Sequence, residues 1–420
     1  MPSRGDTAFK RQEFRFVNDV LAGIKVIEVA GWTFVPSAGA VLAEWGADVI
    51  KVEPLTGDPQ RGLVTSGLVP AGAGGVNYMM EVPNRGKRSI GIDLSTEGGR
   101  DLLLALVRQA DVFLTSYLPN VRRKLGIDVD DLRAVNPDVI YVRGSGYGPR
   151  GPDVDTPGFD GVSYWARGGV ADALTPPEAD FPVGGRPAFG DVMGGMALAG
   201  GICAALLARE RNGAASVVDV SLLGLALWNL GPDVAAAKLY EGVELPSFRR
   251  DEPPNPLVAY YRTADDRQIC LMMLQSDRYW PDLCRHLGLD GSIADPRYAD
   301  AAARFHNRAE LYRLLSETFA SRTYAQWRDT LATLAGPWSG MQTAAELHDD
   351  PAALANGYLA TLTATSGAAF ELAANPVQFD ETPASPSGAP EHGQHTEEIL
   401  LDLGLGWDDI DRHKQQGDIL

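Results

Sequence analysis

The chain predicts an α/β fold: a mainly parallel sheet with helices on both faces, and a smaller α+β block. Three observations carry that prediction. From residue 20 to about residue 225, short β-branched runs alternate with helical patterns, and such alternation builds parallel sheets through crossovers. Near residue 225 the texture changes to a hairpin followed by helices. The length of 420 residues exceeds one small core and points to two domains, or to one large domain with an insertion.

The elements follow in order. Lys25-Val26-Ile27-Glu28-Val29 reads as a buried strand, 36–45 as a helix that tolerates Pro36 in its first turn, and 48–52 as the next strand. Residues 89–94, 111–115 and 139–142 read as three more strands, with helices at 98–109 and 130–135. Residues 257–261 and 268–274 flank Ala264-Asp265-Asp266-Arg267 as a hairpin. Helices are expected at 278–287, 308–320 and 324–334, a Pro/Ser-rich linker at 382–390, and a final helix at 395–403.

Composition narrows the function classes. The apolar fraction of 45% and charged fraction of 22% are ordinary for a globular chain. A net charge of -18 argues against nucleic acid and against anionic membranes as partners. It leaves room for one anionic ligand in a local basic pocket. Cys203, Cys270 and Cys284 form no CxxC pair, and buried thiols in a reducing cytoplasm are expected. The opening MPSRGDTAFKRQEFRF lacks the apolar core of a signal peptide. The most apolar stretch, 193–208, is shorter than the ~20 residues of a spanning helix. A soluble cytoplasmic protein is the expectation.

Several motifs read blandly. Gly144-Ser145-Gly146-Tyr147-Gly148 follows a strand, but Pro149, Gly151, Pro152 and Pro157 replace the helix that a dinucleotide loop needs, so a glycine-rich turn is expected. His392 and His395 have HxxH spacing without further ligands nearby, and no metal is expected. All six histidines lie at or after His286, away from the α/β region.

Two signals are positive. Lys87, Arg88, Arg122, Arg123 and Lys124 are basic residues at strand edges or helix starts, where they suit the phosphates of a nucleotide cofactor, although charge alone slightly favours a solvated charged face. Asp191 opens a long apolar helix within Phe189-Gly190-Asp191-Val192-Met193-Gly194-Gly195. Glycine costs about 1 kcal/mol relative to alanine inside a helix, so Gly190, Gly194 and Gly195 suggest close approach by a chain or ligand. The helix N-terminus favours a carboxylate by ~0.3–1 kcal/mol, so Asp191 is expected to be ionised, either as a nucleophile or as a cap.

In order and spacing, a series of segments resembles the family III CoA-transferases (the CaiB/BaiF family). They are Leu21-Ala22-Gly23-Ile24-Lys25-Val26-Ile27-Glu28, Trp45-Gly46-Ala47-Asp48-Val49-Ile50-Lys51-Val52-Glu53-Pro54, Asn84-Arg85-Gly86-Lys87-Arg88-Ser89-Ile90, Ala110-Asp111-Val112, Asn136-Pro137, Gly146-Tyr147-Gly148, Pro157-Gly158-Phe159-Asp160, Gly190-Asp191 and Gly393-Gln394-His395-Thr396-Glu397-Glu398. The resemblance implies a Rossmann-like large domain (1–225) completed by the C-terminal segment (376–420), a small α+β domain (226–375) and an interlocked homodimer. It implies CoA against Lys51, Lys87, Arg88, Ser116, Tyr117 and Arg123, and Asp191 as the catalytic aspartate that passes through a mixed anhydride and an aspartyl-CoA thioester. The substrates implied are acyl-CoA and a carboxylic acid. Backbone N–H groups near Gly194 and Gly195 are the candidates to stabilise oxyanions.

The sequence departs from relatives twice. Racemases of the family carry His where Phe159 stands, and phenylalanine cannot move a proton. Formyl-CoA transferases close a tetraglycine loop; residues 245–260 hold Pro253, Pro254 and Pro256 instead. A transferase leads, with an α-methylacyl-CoA racemase or a non-catalytic acyl-CoA-binding protein as alternatives. Trp32, Phe34, Phe159, Tyr164 and Trp165 suggest an apolar pocket for a bulky acyl group, or core packing.

Overall fold

The structure, a computed structural model, describes residues 19–241 and 248–420. The N-terminal stretch discussed above lies outside them, as do residues 245–247 of the stretch compared with the tetraglycine loop. The described chain forms two compact units: 19–173, 184–231 and 351–420 make the larger, and 174–183, 232–241 and 248–350 the smaller.

The larger unit is built on six parallel strands: β1 (Lys25–Val29), β2 (Asp48–Glu53), β3 (Arg88–Gly91), β4 (Val112–Thr115), β5 (Ile140–Ser145) and β6 (Val217–Ser221), in the order β3-β2-β1-β4-β5-β6. This is the order of a doubly wound sheet. Side chains alternate between two cores, as strand geometry requires. Val26, Val112, Leu114, Ile140 and Val142 join helices Phe34–Glu44 and Phe189–Asn212 on one face. Ile27, Ile50, Phe113 and Tyr141 meet helices Glu97–Val107, Thr396–Asp402 and Trp407–Gln416 on the other. Helix Thr396–Asp402 is therefore not the last.

The chain re-enters the larger unit at Pro351, earlier than residue 376. The antiparallel hairpin β10 (Leu359–Thr363) and β11 (Ala369–Ala373) belongs there, because Ala368 beside it packs against Gly74 and Thr365 bonds Glu391 at 2.7 Å. Beyond it, His395 exchanges bonds with Ser89, its Nδ1 accepting the Ser89 N–H at 3.2 Å, and Ile419 bridges Ile92. The smaller unit folds on its own core beneath an antiparallel sheet of β7 (Val258–Arg262), β8 (Gln268–Met272) and β9 (Trp338–Gly340).

Helix Phe189–Asn212 spans 24 residues, longer than its apolar stretch suggested, and is long and apolar enough to cross a membrane by those criteria alone. In this fold one face is buried. A Cβ on Gly194 would collide with the Phe34 ring, and one on Gly195 with Ser37. These glycines let the helix lie close on Phe34–Glu44.

Candidate active site at the switch point of the sheet

From β1 the chain winds outward to β3, and from β4 it winds the other way, so the crevice between their carboxyl ends is the topological switch point where such sheets bind ligands. A cavity of about 360 Å³ opens there. Gly31, Trp32 and Phe34 line it from β1, Glu53 and Asp58 from β2, Ser116 and Tyr117 from β4, Gly144, Ser145 and Gly146 from β5, with Phe159 and Asp191 completing the wall. The glycine-rich turn after β5 thus lines the site without being a dinucleotide loop.

Asp191 stands in the first turn of its helix. Asp160 caps that start: its Oδ1 accepts the Gly190 N–H at 3.2 Å, and a side chain on Gly190 would strike Asp160 and the Tyr164 ring. Burial pushes the Asp191 carboxyl up to about 7, and the neighbouring Asp160 pushes the same way. Burial also raises Asp160. The expectation of a fully ionised Asp191 is corrected here, because desolvation and a like charge outweigh the modest pull of the helix dipole. Of the three carboxylates that line the cavity, Glu53 is held by Arg61 at 2.7 Å and Asp58 by Lys51 at 2.8 Å. Among the described residues Asp191 has no such cation.

The six residues expected to hold CoA separate. Ser116 and Tyr117 line the cavity. Arg123 is exposed on helix Pro119–Leu125, which begins just beyond them. Lys51 and Lys87 are buried and face inward: both pair with Glu28, at 3.2 and 2.8 Å, and Lys51 also with Asp58. Burial pulls Lys87 down to about 8, against the opposing pull of Glu28. Arg88 begins β3, at the amino edge of the sheet, and is occupied by Asp48, Glu398 and Asp402. These three hold the fold; their ammonium and guanidinium groups are spent on protein carboxylates. A lysine inside the buried run of β2, in register with Glu28 of β1, was the sequence signal for that internal pairing.

Gly194 and Gly195 are also reassigned. They lie beyond the first turn, where helix N–H groups are taken by the helix's own carbonyls, and both are buried against the neighbouring helix. Of the aromatic residues, Trp32, Phe34 and Phe159 reach the cavity, whereas Tyr164 and Trp165 belong to the core. The site residues that sequence reasoning missed are Asp58 and the tuning partner Asp160. His392 bonds the Pro54 carbonyl at 2.9 Å, and the three cysteines are free thiols.

The chain belongs to CoA-transferase family III, which it matches over residues 21–396. It is a transferase, and its family handles CoA thioesters. It is 32% identical over 396 residues to the (R)-2-hydroxy-4-methylpentanoate CoA-transferase of Clostridioides difficile, covering 94% of this chain and 98% of that protein. It is 31% identical to the cinnamoyl-CoA:phenyllactate CoA-transferase of Clostridium sporogenes, covering 96% and 98%. A crystal structure of a CaiB/BaiF family protein from Brucella suis superposes with a TM-score of 0.78 at 29% identity, over 91% of this chain and 99% of that one.

Proposed function

We propose that the enzyme moves CoA from an acyl-CoA donor to a carboxylic acid through Asp191, and that its acyl groups are apolar and branched or aromatic. The observation that carries this reading is Asp191 itself: a carboxylate without a counter-ion among the described residues, facing a cavity walled by Trp32, Phe34 and Phe159. The branched and aromatic acids in the names of the two relatives support the acyl class.

The chemistry follows from a carboxylate nucleophile. An Asp191 oxygen attacks the thioester carbon, the C–S bond breaks, and CoA thiolate leaves behind a mixed anhydride. The thiolate attacks the Asp191 carbonyl carbon, expelling the donor acid and forming an aspartyl-CoA thioester. The acceptor carboxylate attacks that same carbon and expels the thiolate, giving a second anhydride. The thiolate then attacks the acceptor's acyl carbon, and the Asp191 carboxylate leaves. CoA held beside Ser116, Tyr117 and Arg123 keeps the thiolate near each anhydride, where proximity replaces a bimolecular encounter.

Hydroxylamine trapping during turnover tests the reading. Asp191 should be recovered as its hydroxamate, and Asp191→Ala and Asp191→Asn should each lose about a thousandfold or more in transfer rate. Full activity in both variants would refute it. Deuterium entering the α-position of an acyl-CoA from solvent, without exchange of acids, would instead favour a racemase.

The same reading takes the enzyme as a cytoplasmic homodimer. Each unit leaves large apolar side chains uncovered, Trp228 in the larger and Phe181 and Leu239 in the smaller, each more than 80% exposed. Such surface is what a second copy covers. A monomer mass in sedimentation would overturn it.

A further inference from the structure

The segment that joins β1 to helix Phe34–Glu44 is clamped at four consecutive residues. Lys51 Nζ donates to the Ala30 carbonyl at 2.9 Å. The Gly31 N–H donates to Ser116 Oγ at 3.3 Å, the Trp32 N–H to Asp58 Oδ1 at 3.1 Å, and Thr33 Oγ1 to Gln60 Oε1 at 2.9 Å. The bonds reach β2, the residue after β4 and, for Trp32 and Thr33 alike, the turn of Asp58 and Gln60 that follows β2. Asp58 is the junction: one oxygen serves Trp32 and the Gln60 N–H, and the other lies 2.8 Å from Lys51 Nζ.

The clamp holds an unfavourable conformation. Trp32 has φ of 67°, a left-handed backbone that bulky residues avoid. The fold gains no core packing by it, since Trp32 is 38% exposed and belongs to none of the buried clusters. Its ring instead meets Phe159 edge-on, with centroids 5.6 Å apart, and Phe159 is 54% exposed. Both rings line the cavity that contains Asp191. Phe159 is also tied to the nucleophile's mounting, because the next residue, Asp160, accepts the Gly190 N–H. A strained, well-anchored aromatic that faces a reaction cavity points to substrate contact.

We propose that Trp32 and Phe159 form the wall that selects bulky apolar acyl groups, and that Asp58, backed by Lys51, is the positioning residue that holds Trp32 in place. This rests on the transferase reading above and deepens it. Small acids leave the wall uncovered and gain little from it. Branched or aromatic acyl groups cover both rings and draw binding energy into the transfer step.

The test is acceptor competition. With butyryl-CoA as donor, phenylpropanoate and isocaproate compete against propanoate, and the ratio of kcat/KM values is read for each enzyme. Wild type should favour the bulky acids. Trp32→Gly, whose backbone suits φ of 67°, and Phe159→Ala should each lower the ratio by about tenfold or more. Asp58→Asn keeps only one acceptor oxygen for Trp32 and Lys51 together, so it should lower the ratio about threefold and add little on top of Trp32→Gly. A purely structural role would reduce the rates with all acids in step and leave the ratio fixed. Ratios unchanged in Trp32→Gly and Phe159→Ala would overturn the selecting wall, and an unchanged ratio in Asp58→Asn the positioning role. Should Asp58→Asn fail to fold, Asp58→Glu replaces it: it keeps the charge opposite Lys51 while displacing the oxygen that Trp32 donates to, with the same expected fall and the same refuting result. Absence of CoA transfer by wild type to any acid would instead sink the transferase reading itself.

Discussion

Two groups of buried charge meet the same cavity and are treated in opposite ways. On the β1–β2 side, Glu28, Lys51, Asp58 and Lys87 pair with one another at 2.8 to 3.2 Å. At the head of helix Phe189–Asn212, burial and the neighbouring Asp160 both push Asp191 up, and among the described residues no cation offsets them. The first arrangement fixes geometry, because each charge is neutralised within the protein. The second stores reactivity, because a desolvated carboxylate without a counter-ion gains from bonding to carbon and losing its charge. Charge count alone does not distinguish the two; pairing does.

Breaking the compensated side should give the largest effect on stability. Lys51→Met strands Asp58 in the interior, leaves Glu28 with Lys87 alone, and should cost about 3–5 kcal/mol, read as a fall in the urea midpoint. Lys414→Met, which removes the half-exposed pair with Glu397, should cost below about 1 kcal/mol. Equal losses in the two variants would erase the contrast.

The uncompensated side should respond in the other direction. Asp191 titrates near 7 in the folded chain and near 4 when unfolded. Below about pH 4 it is protonated in both states and carries no penalty. As pH rises from about 4 to 7 the unfolded chain releases this proton first, so the folded state loses stability over that window, and the loss persists above it. Asp191→Asn should therefore be more stable than wild type at pH 8.5 by on the order of 1 kcal/mol after solvent screening, with the gap closing towards pH 4. Melting temperatures at both pH values check it, and a constant gap would contradict the assignment.

How much of this was legible in the sequence depends on whether the deciding contact is local. Strands β1 and β2 were readable because their β-branched runs are buried on both faces. Edge strand β6 was not, since Val217–Ser221 is only half-buried and includes an exposed aspartate. The fold class and the resemblance also led to Asp191 and to the cavity residues Ser116 and Tyr117. What the sequence did not show was the protein partner of each cation. Lys51, Lys87 and Arg88 looked like phosphate ligands because the sequence shows a cation but not the carboxylate that a distant strand or the C-terminal helix brings to it. The glycines of the Asp191 helix correctly signalled close approach, but to Phe34 and Ser37 rather than to an oxyanion. The sign of the Asp191 shift was missed for the same reason: the burial that mainly sets it, and the Asp160 charge that adds to it, are both brought by other segments of the chain.

That last pairing yields the smallest and most discriminating effect. Asp160→Asn keeps an oxygen for the Gly190 N–H, so the helix start should hold, while the like charge beside Asp191 disappears. Burial, the larger cause of the elevation, remains. The nucleophile is the ionised form, so kcat/KM in wild type should rise with pH through about 7. In Asp160→Asn this limb should move to lower pH by on the order of half a unit, with the plateau rate changed far less than in any Asp191 variant. A pH–rate profile reads both quantities. A limb that stays in place would mean that desolvation alone sets the Asp191 charge; a collapsed plateau would give Asp160 a part in the chemistry beyond tuning its neighbour.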